Sequence, residues 1–227
     1  MSTLQSYLQT TRFILHDVNS VTFTDSQLTN CINLARDRIV TDTYSPQALP
    51  FIPLISGQDA YPFSYILPYV QALPASSLAR AIQAILFVNF VQTPTPPYIK
   101  IPLRPLPFNV LNERYRINPV NSLCEAFGVL DLGSIVYLEP PPAGNTFQAE
   151  IRCTWLPVYM VNYTDQETAI PAGVSDALVP LMAASWAWEN NDDMESSKKM
   201  EDKYTAHLNQ FGASMPPYLY DPYSSIY

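Results

Sequence analysis

Two histidines, three cysteines and a scatter of carboxylates are the residues whose types could do chemistry in this chain. His16 lies between Leu15 and Asp17, and an aspartate that orients an imidazole makes a general base. Sequence neighbours on a helix do not face each other, however, so a capping or surface role is expected for His16. His207 falls near the C-terminal end of a helical stretch, where an imidazole interacts favourably with the helix dipole, and a packing or capping role is expected there. Cys31, Cys124 and Cys153 show no CxxC or Cys/His spacing, which speaks against a metal cage or a disulfide framework. They are expected to be small core residues in a reducing cytoplasm. Carboxylates such as Asp25, Asp42, Glu139 and Glu150 have the chemistry of a glycosidase pair, but almost any sequence offers such pairs. No GxSxG, HExxH, GxxxxGK[ST] or GxGxxG is present, and six glycines in 227 residues leave little backbone to cradle a phosphate. The expectation is assembly rather than catalysis, with no catalytic residue, metal or cofactor.

Composition points the same way. Apolar residues make up 48% and charged residues only 14% of the chain, well under the usual quarter of charged residues. Such a chain hides much of its surface, in a large core or against other subunits. The formal net charge of -8 with twelve scattered Lys and Arg disfavours nucleic-acid binding, which needs clustered cations. A wall that DNA slides past without sticking would also be acidic. No basic segment leads into an apolar run at the N-terminus, and no stretch of about eighteen apolar residues occurs, so neither export by a standard signal nor a membrane span is expected.

The elements that must position these residues follow from periodicity. Leu4, Tyr7, Leu8, Thr11, Ile14, Leu15 and Val18 form one apolar helical stripe, with Ser2 and Gln5 placed as a capping box. Thr24 and Gln27 form a second such box, ahead of a stripe of Leu28, Cys31, Ile32, Ala35 and Ile39. Prolines at 46, 50, 53, 62, 68 and 74 then exclude helices over residues 44–77, leaving Ile52–Ile55 and Ala60–Ile66 as strand candidates. Residues 78–92 could present a helix face in Leu78, Ile82, Ile85 and Leu86, but the β-formers of Ile82–Val91 favour a strand ending before Thr93; Tyr98–Leu106 reads as an edge strand, followed by a short helix over Phe108–Arg116. Gly128–Leu138 and Phe147–Trp155 flank EPPPAGN and predict a hairpin with one wet face. Helical period returns after Ile170. One helix capped by Ser175 or Asp176 carries Leu178, Leu181, Met182, Ser185, Trp186 and Trp188, with Pro180 near its first turn. Another carries Met200, Tyr204, His207, Leu208 and Phe211 and stops at Gly212.

The predicted fold class is therefore α+β: an antiparallel four-helix core built from the N- and C-terminal helix pairs, an inserted small antiparallel β module, and an extended C-terminal tail. The expected domains are 1–43 with 170–212 (helical, discontinuous), 44–169 (β-rich insertion) and 213–227 (tail). Either helix pair alone would leave an apolar stripe in water. The tail, ASMPPYLYDPYSSIY, has no period that returns it to the core. An extended chain carrying Tyr218, Tyr220, Tyr223 and Tyr227 is expected to act as a strap in a neighbour's groove. Arg12 and Arg36 lie off the stripes or at their edge. They are expected to pair with acidic groups between helices or between subunits, serving assembly rather than DNA affinity.

Residues 7–43, YLQTTRFILHDVNSVTFTDSQLTNCINLARDRIVTDT, resemble the opening of head-to-tail adaptor proteins of tailed bacteriophages, where a TR-LLHD helix precedes an INxAR helix. Thr11, Arg12, Ile14, Leu15, His16 and Asp17 match the first motif, and Ile32, Asn33, Ala35 and Arg36 the second. IPLRPLPFNVLNERYR, GSIVYLEPPPAGNTFQAEI and IPAGVSDALVPLMAASWAWENNDD resemble the same group. The resemblance implies a virion structural protein, assembled in the host cytoplasm and resident in the neck. It implies a closed ring of about twelve copies seated between the portal protein and the tail tube, nozzle or another neck protein. DNA would pass through the ring without specific binding. The tail would then be a portal-binding extension. Two other readings of the residues are a carbohydrate- or receptor-binding module of a tail appendage, resting on the β insertion and its tyrosines, and a cell-wall hydrolase.

Overall fold

The computed structural model describes residues 2–92, 95–96, 98–115, 123–130 and 134–214. The chain divides into two compact units, one made of the residues up to Thr43 together with those from Tyr159 onward, the other of Tyr44–Val158.

The first unit is helical: α1 (Leu4–Leu15), α2 (Asp25–Thr43), α5 (Ala172–Glu189) and α6 (Met194–Ser214). The N-terminal helices pack against the C-terminal ones, with α5 touching α1, α2 and α6. That central position explains its composition. Leu178, Val179, Pro180, Met182, Ala183, Ala184, Ser185 and Ala187 are all buried, so α5 is apolar on most sides and not along the single stripe predicted. Leu28, Cys31, Ile32, Ala35 and Ile39 form the buried face of α2. Leu4, Tyr7, Leu8, Thr11 and Leu15 form that of α1.

Helix ends differ from prediction by a few residues, each for a local reason. The capping box of α1 is Thr3 with Ser6, one residue later than Ser2 with Gln5, and the Ser2 hydroxyl instead donates to Asp176. The Thr24–Gln27 box forms at α2. Helix α1 ends at His16, which takes the left-handed conformation with φ 55°, so Val18 falls beyond the stripe and is exposed. Helix α5 starts after Pro171, ahead of Ser175 and Asp176, because the ring presets the backbone for a helix start; Pro180 is then well inside the helix. Helix α6 continues through Gly212 to Ser214.

The second unit holds two sheets and two helices. Its elements in order are β1 (Gln47–Ala48), β2 (Phe51–Pro53), β3 (Ala60–Pro62), α3 (Phe63–Gln71), β4 (Ala79–Val91), β5 (Lys100–Pro102), β6 (Arg104–Pro105), α4 (Phe108–Tyr115), β7 (Ala126–Leu130), β8 (Ile135–Glu139) and β9 (Gln148–Pro157). One sheet runs β1-β9-β4-β5 with β2 also on β9; the other runs β3-β8-β7-β6. The predicted hairpin across EPPPAGN does not form. Strand β8 pairs with β3 and β7, whereas β9 pairs with β1, β2 and β4. The physical reason lies in β9 itself: Ala149, Glu150, Ile151, Cys153, Thr154 and Trp155 are all buried, as suits a central strand and not one with a wet face. The predicted edge strand over Tyr98–Leu106 is split, β5 joining the first sheet and β6 pairing parallel with β7 in the second.

Helix α3 contradicts the exclusion of helices from residues 44–77. Pro62 stands before its first residue and Pro68 inside it. The missing donor of Pro68 forfeits one bond, while Ile66 and Val70 are fully buried beneath the helix, and burial of such side chains outweighs that loss. The long β4 strand covers the β-former-rich run 82–91 that favoured a strand, and the short α4 lies within the helical stretch expected over residues 108–116.

In β7, a Cβ added at Gly128 would sit 2.9 Å from the Leu106 carbonyl oxygen, so the β6–β7 approach requires glycine. Gly128→Ala is expected to destabilise the chain by about 1–3 kcal/mol, read as a lower urea midpoint at unchanged slope.

Candidate functional site

Polar chemistry in the helical unit converges on the stretch 159–170, which carries no helical period yet belongs to this unit. Its carbonyls accept the first amides of α1: Leu4 N–H donates to Asp165 (3.0 Å) and Gln5 N–H to Tyr163 (3.1 Å). These are helix N-terminal donors that would otherwise lack a partner. Asn33 holds the same stretch from α2. Its amide donates to the Met160 carbonyl (2.9 Å), and its own oxygen accepts the Met160 N–H (2.9 Å).

One turn further along α2, the buried Arg36 donates through Nε to Glu167 Oε2 at 2.6 Å and through Nη1 to Asn33 at 3.2 Å. Glu167 is buried as well, and its Oε1 also accepts the amides of Ala169 (3.0 Å) and Ile170 (3.2 Å). Arg36 thus has acidic company within its own chain.

Arg12 sits in a second cluster. Its guanidinium donates to Asp17 at 3.0 Å and to Asp25 at 2.5 Å. Asp25 accepts the Tyr163 hydroxyl at 2.8 Å. Asp17 is nearly dehydrated, yet it accepts the backbone amides of Val21 (2.9 Å), Thr22 (3.0 Å) and Phe23 (3.0 Å). Burial opposes ionisation of Asp17, but the amides of Thr22, Phe23 and Val21 and the charge of Arg12 outweigh it and hold the carboxyl below its usual range. The end of α1 and its connection to α2 are therefore fixed, and they present Phe13 (72% exposed), Val18 (69%) and Val21 (84%) to solvent.

The other residues with chemical potential are dispersed. His16 caps α1 and His207 is exposed on α6. The three cysteines are free and buried, and burial raises the thiols of Cys124 and Cys153 to about 12, so they are unreactive at neutral pH. Asp42 accepts from Tyr204 and Arg38, and lies about 25 Å along α2 from Asp25. Glu150 is buried with Lys100 and Asn89, whereas Glu139 is in the other sheet, where burial and Asp59 raise its carboxyl. None of these becomes an acid–base pair. Among the described residues, no three His, Cys, Asp or Glu side chains form a metal-ligand set, and no helix is long and apolar enough to cross a membrane. Tyr218, Tyr220, Tyr223 and Tyr227 lie outside the described residues.

Sequence reasoning missed Glu167 and the clamping roles of Asn33 and Asp17. Glu167 gives no local signal, since its partner is 131 residues away. Asp17, followed by Asn19 and Ser20, does carry one: aspartate accepting amides a few residues on is ordinary turn chemistry.

The arrangement defines a class, a scaffold whose buried ionisable groups serve internal cohesion and which exposes several large apolar side chains beside them. The family model described as SU10 adaptor protein matches residues 2–218, and the chain belongs to that family, the phage head-to-tail adaptors, which are structural virion proteins and not enzymes. No curated protein matches the chain.

Two outcomes follow from these clusters. Glu167→Ala leaves Arg36 buried without its anion and is expected to cost about 3–5 kcal/mol; with Arg36→Met added, the loss should be well below the sum of the two single losses in urea titrations. Asp17 contributes stability that is full above about pH 4 and is lost as pH falls through its depressed folded value. Asp17→Asn should accordingly lower the urea midpoint at pH 7 and flatten its decline below pH 4.

Proposed function

We propose that the chain closes with copies of itself into a ring of about twelve subunits. The ring docks beneath the portal protein and joins it to the tail tube, nozzle or another neck protein. DNA passes through it without specific binding. The observation that carries this reading is the family match over residues 2–218. Two features support it. Phe13, Val18, Val21 and Val161 are 69% or more exposed in the helical unit, and large exposed apolar side chains on a fixed surface mark places where partners sit. Charge is also partitioned: residues 44–158 contain six Lys or Arg and six Asp or Glu, so the net -8 belongs entirely to the remainder of the chain. An acidic body does not hold phosphate. The tail supplies the portal contact in this reading, through Tyr218, Tyr220, Tyr223 and Tyr227.

Electron microscopy of the purified chain mixed with portal is expected to show rings of cyclic symmetry seated on the portal. Monomers alone, both with and without portal, would overturn the proposal. Deleting residues 213–227 should leave the melting temperature within about 2 °C and weaken portal attachment at least tenfold; unfolding on deletion would make those tyrosines core residues.

A further inference from the structure

The helical unit carries an open groove of about 460 Å³ between the first half of α2 and the run Tyr159–Tyr163. Thr29 and Asn30 stand on the helix wall; Tyr159, Val161 and Tyr163 stand on the other. Val161 is 76% exposed and Tyr163 53%. Both walls are built. Asn33 fixes Met160 through two hydrogen bonds, and Asp25, itself held by Arg12, fixes Tyr163.

A groove lined by tyrosine rings on one side and by amide and hydroxyl groups on the other fits an extended, proline-bounded peptide. The helix wall from Asp25 to Asn33 measures about 12 Å, which accommodates about four extended residues. Residues 215–227 contain such a piece: Tyr218-Leu219-Tyr220-Asp221, bounded by Pro217 and Pro222.

The polarity of the bundle decides whose tail this is. Phe23, just ahead of α2, packs edge to face on Trp188, and Cys31 lies against Asn190, so the end of α5 meets the first part of α2. Ser197 near the start of α6 meets Ser185 of α5, and Tyr204 meets Asp42 at the end of α2, so α6 runs parallel to α2. Helix α6 then continues ten residues beyond Tyr204 to Ser214, which leaves the bundle at the end opposite the groove. From Ser214 to the groove is roughly 35 Å along the axis, at about 1.5 Å per helical residue. Four extended residues bring Tyr218 only about 14 Å from Ser214. A chain therefore cannot place Tyr218–Asp221 in its own groove.

We infer that Tyr218–Asp221 of one copy occupy the groove between α2 and the run Tyr159–Tyr163 of the adjacent copy. This rests on the ring reading and supplies its directional contact. A donor at one end of the bundle and an acceptor at the other is the heterologous arrangement a closed ring needs. This narrows the tail's portal contact from the four tyrosines assigned to it above to Tyr223 and Tyr227, beyond Pro222, with Tyr218 and Tyr220 spent on the neighbouring copy.

The test uses two full-length variants, Thr29→Cys and Tyr220→Cys, mixed in equal amounts and oxidised with diamide. A disulfide between the two different chains is the expected product. A third variant, Val161→Asp on the Thr29→Cys chain, alters an exposed side chain and should reduce that product at least tenfold while leaving the melting temperature in place. No mixed disulfide, or one indifferent to Val161→Asp, overturns the inference; so does a chain bearing both cysteines that closes the bond within itself at high dilution. Rings that form normally without residues 215–227 would sink the groove assignment and leave the ring standing. A mixed disulfide without any ring on the portal would do the reverse.

Discussion

The ion pair between Arg36 and Glu167 is the constraint on which the helical unit depends. Bringing both charges out of water costs several kcal/mol per ion, and the structure offsets that cost with hydrogen bonds. Glu167 accepts from Arg36, Ala169 and Ile170, and Arg36 also donates to Asn33. Every one of these partners belongs either to α2 or to the chain returning from the β unit. The pair therefore fastens the two ends of the polypeptide and makes the run from Tyr159 to Ile170 a wall of the bundle. Without that wall, the opening amides of α1 lose the carbonyls of Tyr163 and Asp165.

Much of this architecture was legible in the residues. Period located α1, α2, α5 and α6, because a helix that buries side chains against its neighbours must repeat accordingly, whereas the long β4 was located by the β-formers of residues 82–91 against a competing helical spacing. The pairing of strands was not legible. Strand β9 alternates convincingly from Phe147 to Cys153, yet Glu150 and Thr154, on the side expected to be wet, are buried. Glu150 is accommodated by Lys100 and Asn89, a compensation that no local pattern announces. Helix α3 escaped notice for the opposite reason: proline density outweighed the spacing of Ile66 and Val70, although Pro62 at a helix start carries no penalty.

For the candidate site, Arg12 and Arg36 stand off the apolar stripes or at their edge, and no local pattern points to the carboxylates they meet, Asp17, Asp25 and Glu167. Asp17 adjoins the sequence that drew attention to His16, and the geometry reverses their apparent roles. The histidine ends a helix in the left-handed conformation, and the aspartate organises the loop that follows. A carboxylate beside an imidazole reads as chemistry only until the backbone amides it serves are known.

In the two N-terminal motifs that carry the family resemblance, most residues point inward. Thr11, Arg12, Leu15 and Asp17 of the first motif are buried, as are Ile32, Asn33, Ala35 and Arg36 of the second. The unspecified position within the first motif is Phe13, which is 72% exposed. These two motifs thus encode how the subunit holds itself together, and the exposed apolar side chains proposed to meet partners stand between and beside them. Rigidity connects the two levels. Because Asp17 and Arg12 hold the backbone of the α1–α2 connection within the subunit, a partner seated on Phe13, Val18 and Val21, as proposed, would not have to order that backbone on contact. An adaptor built this way can change the identity of its exposed side chains, and hence its partners, without disturbing the buried pairs that define its fold.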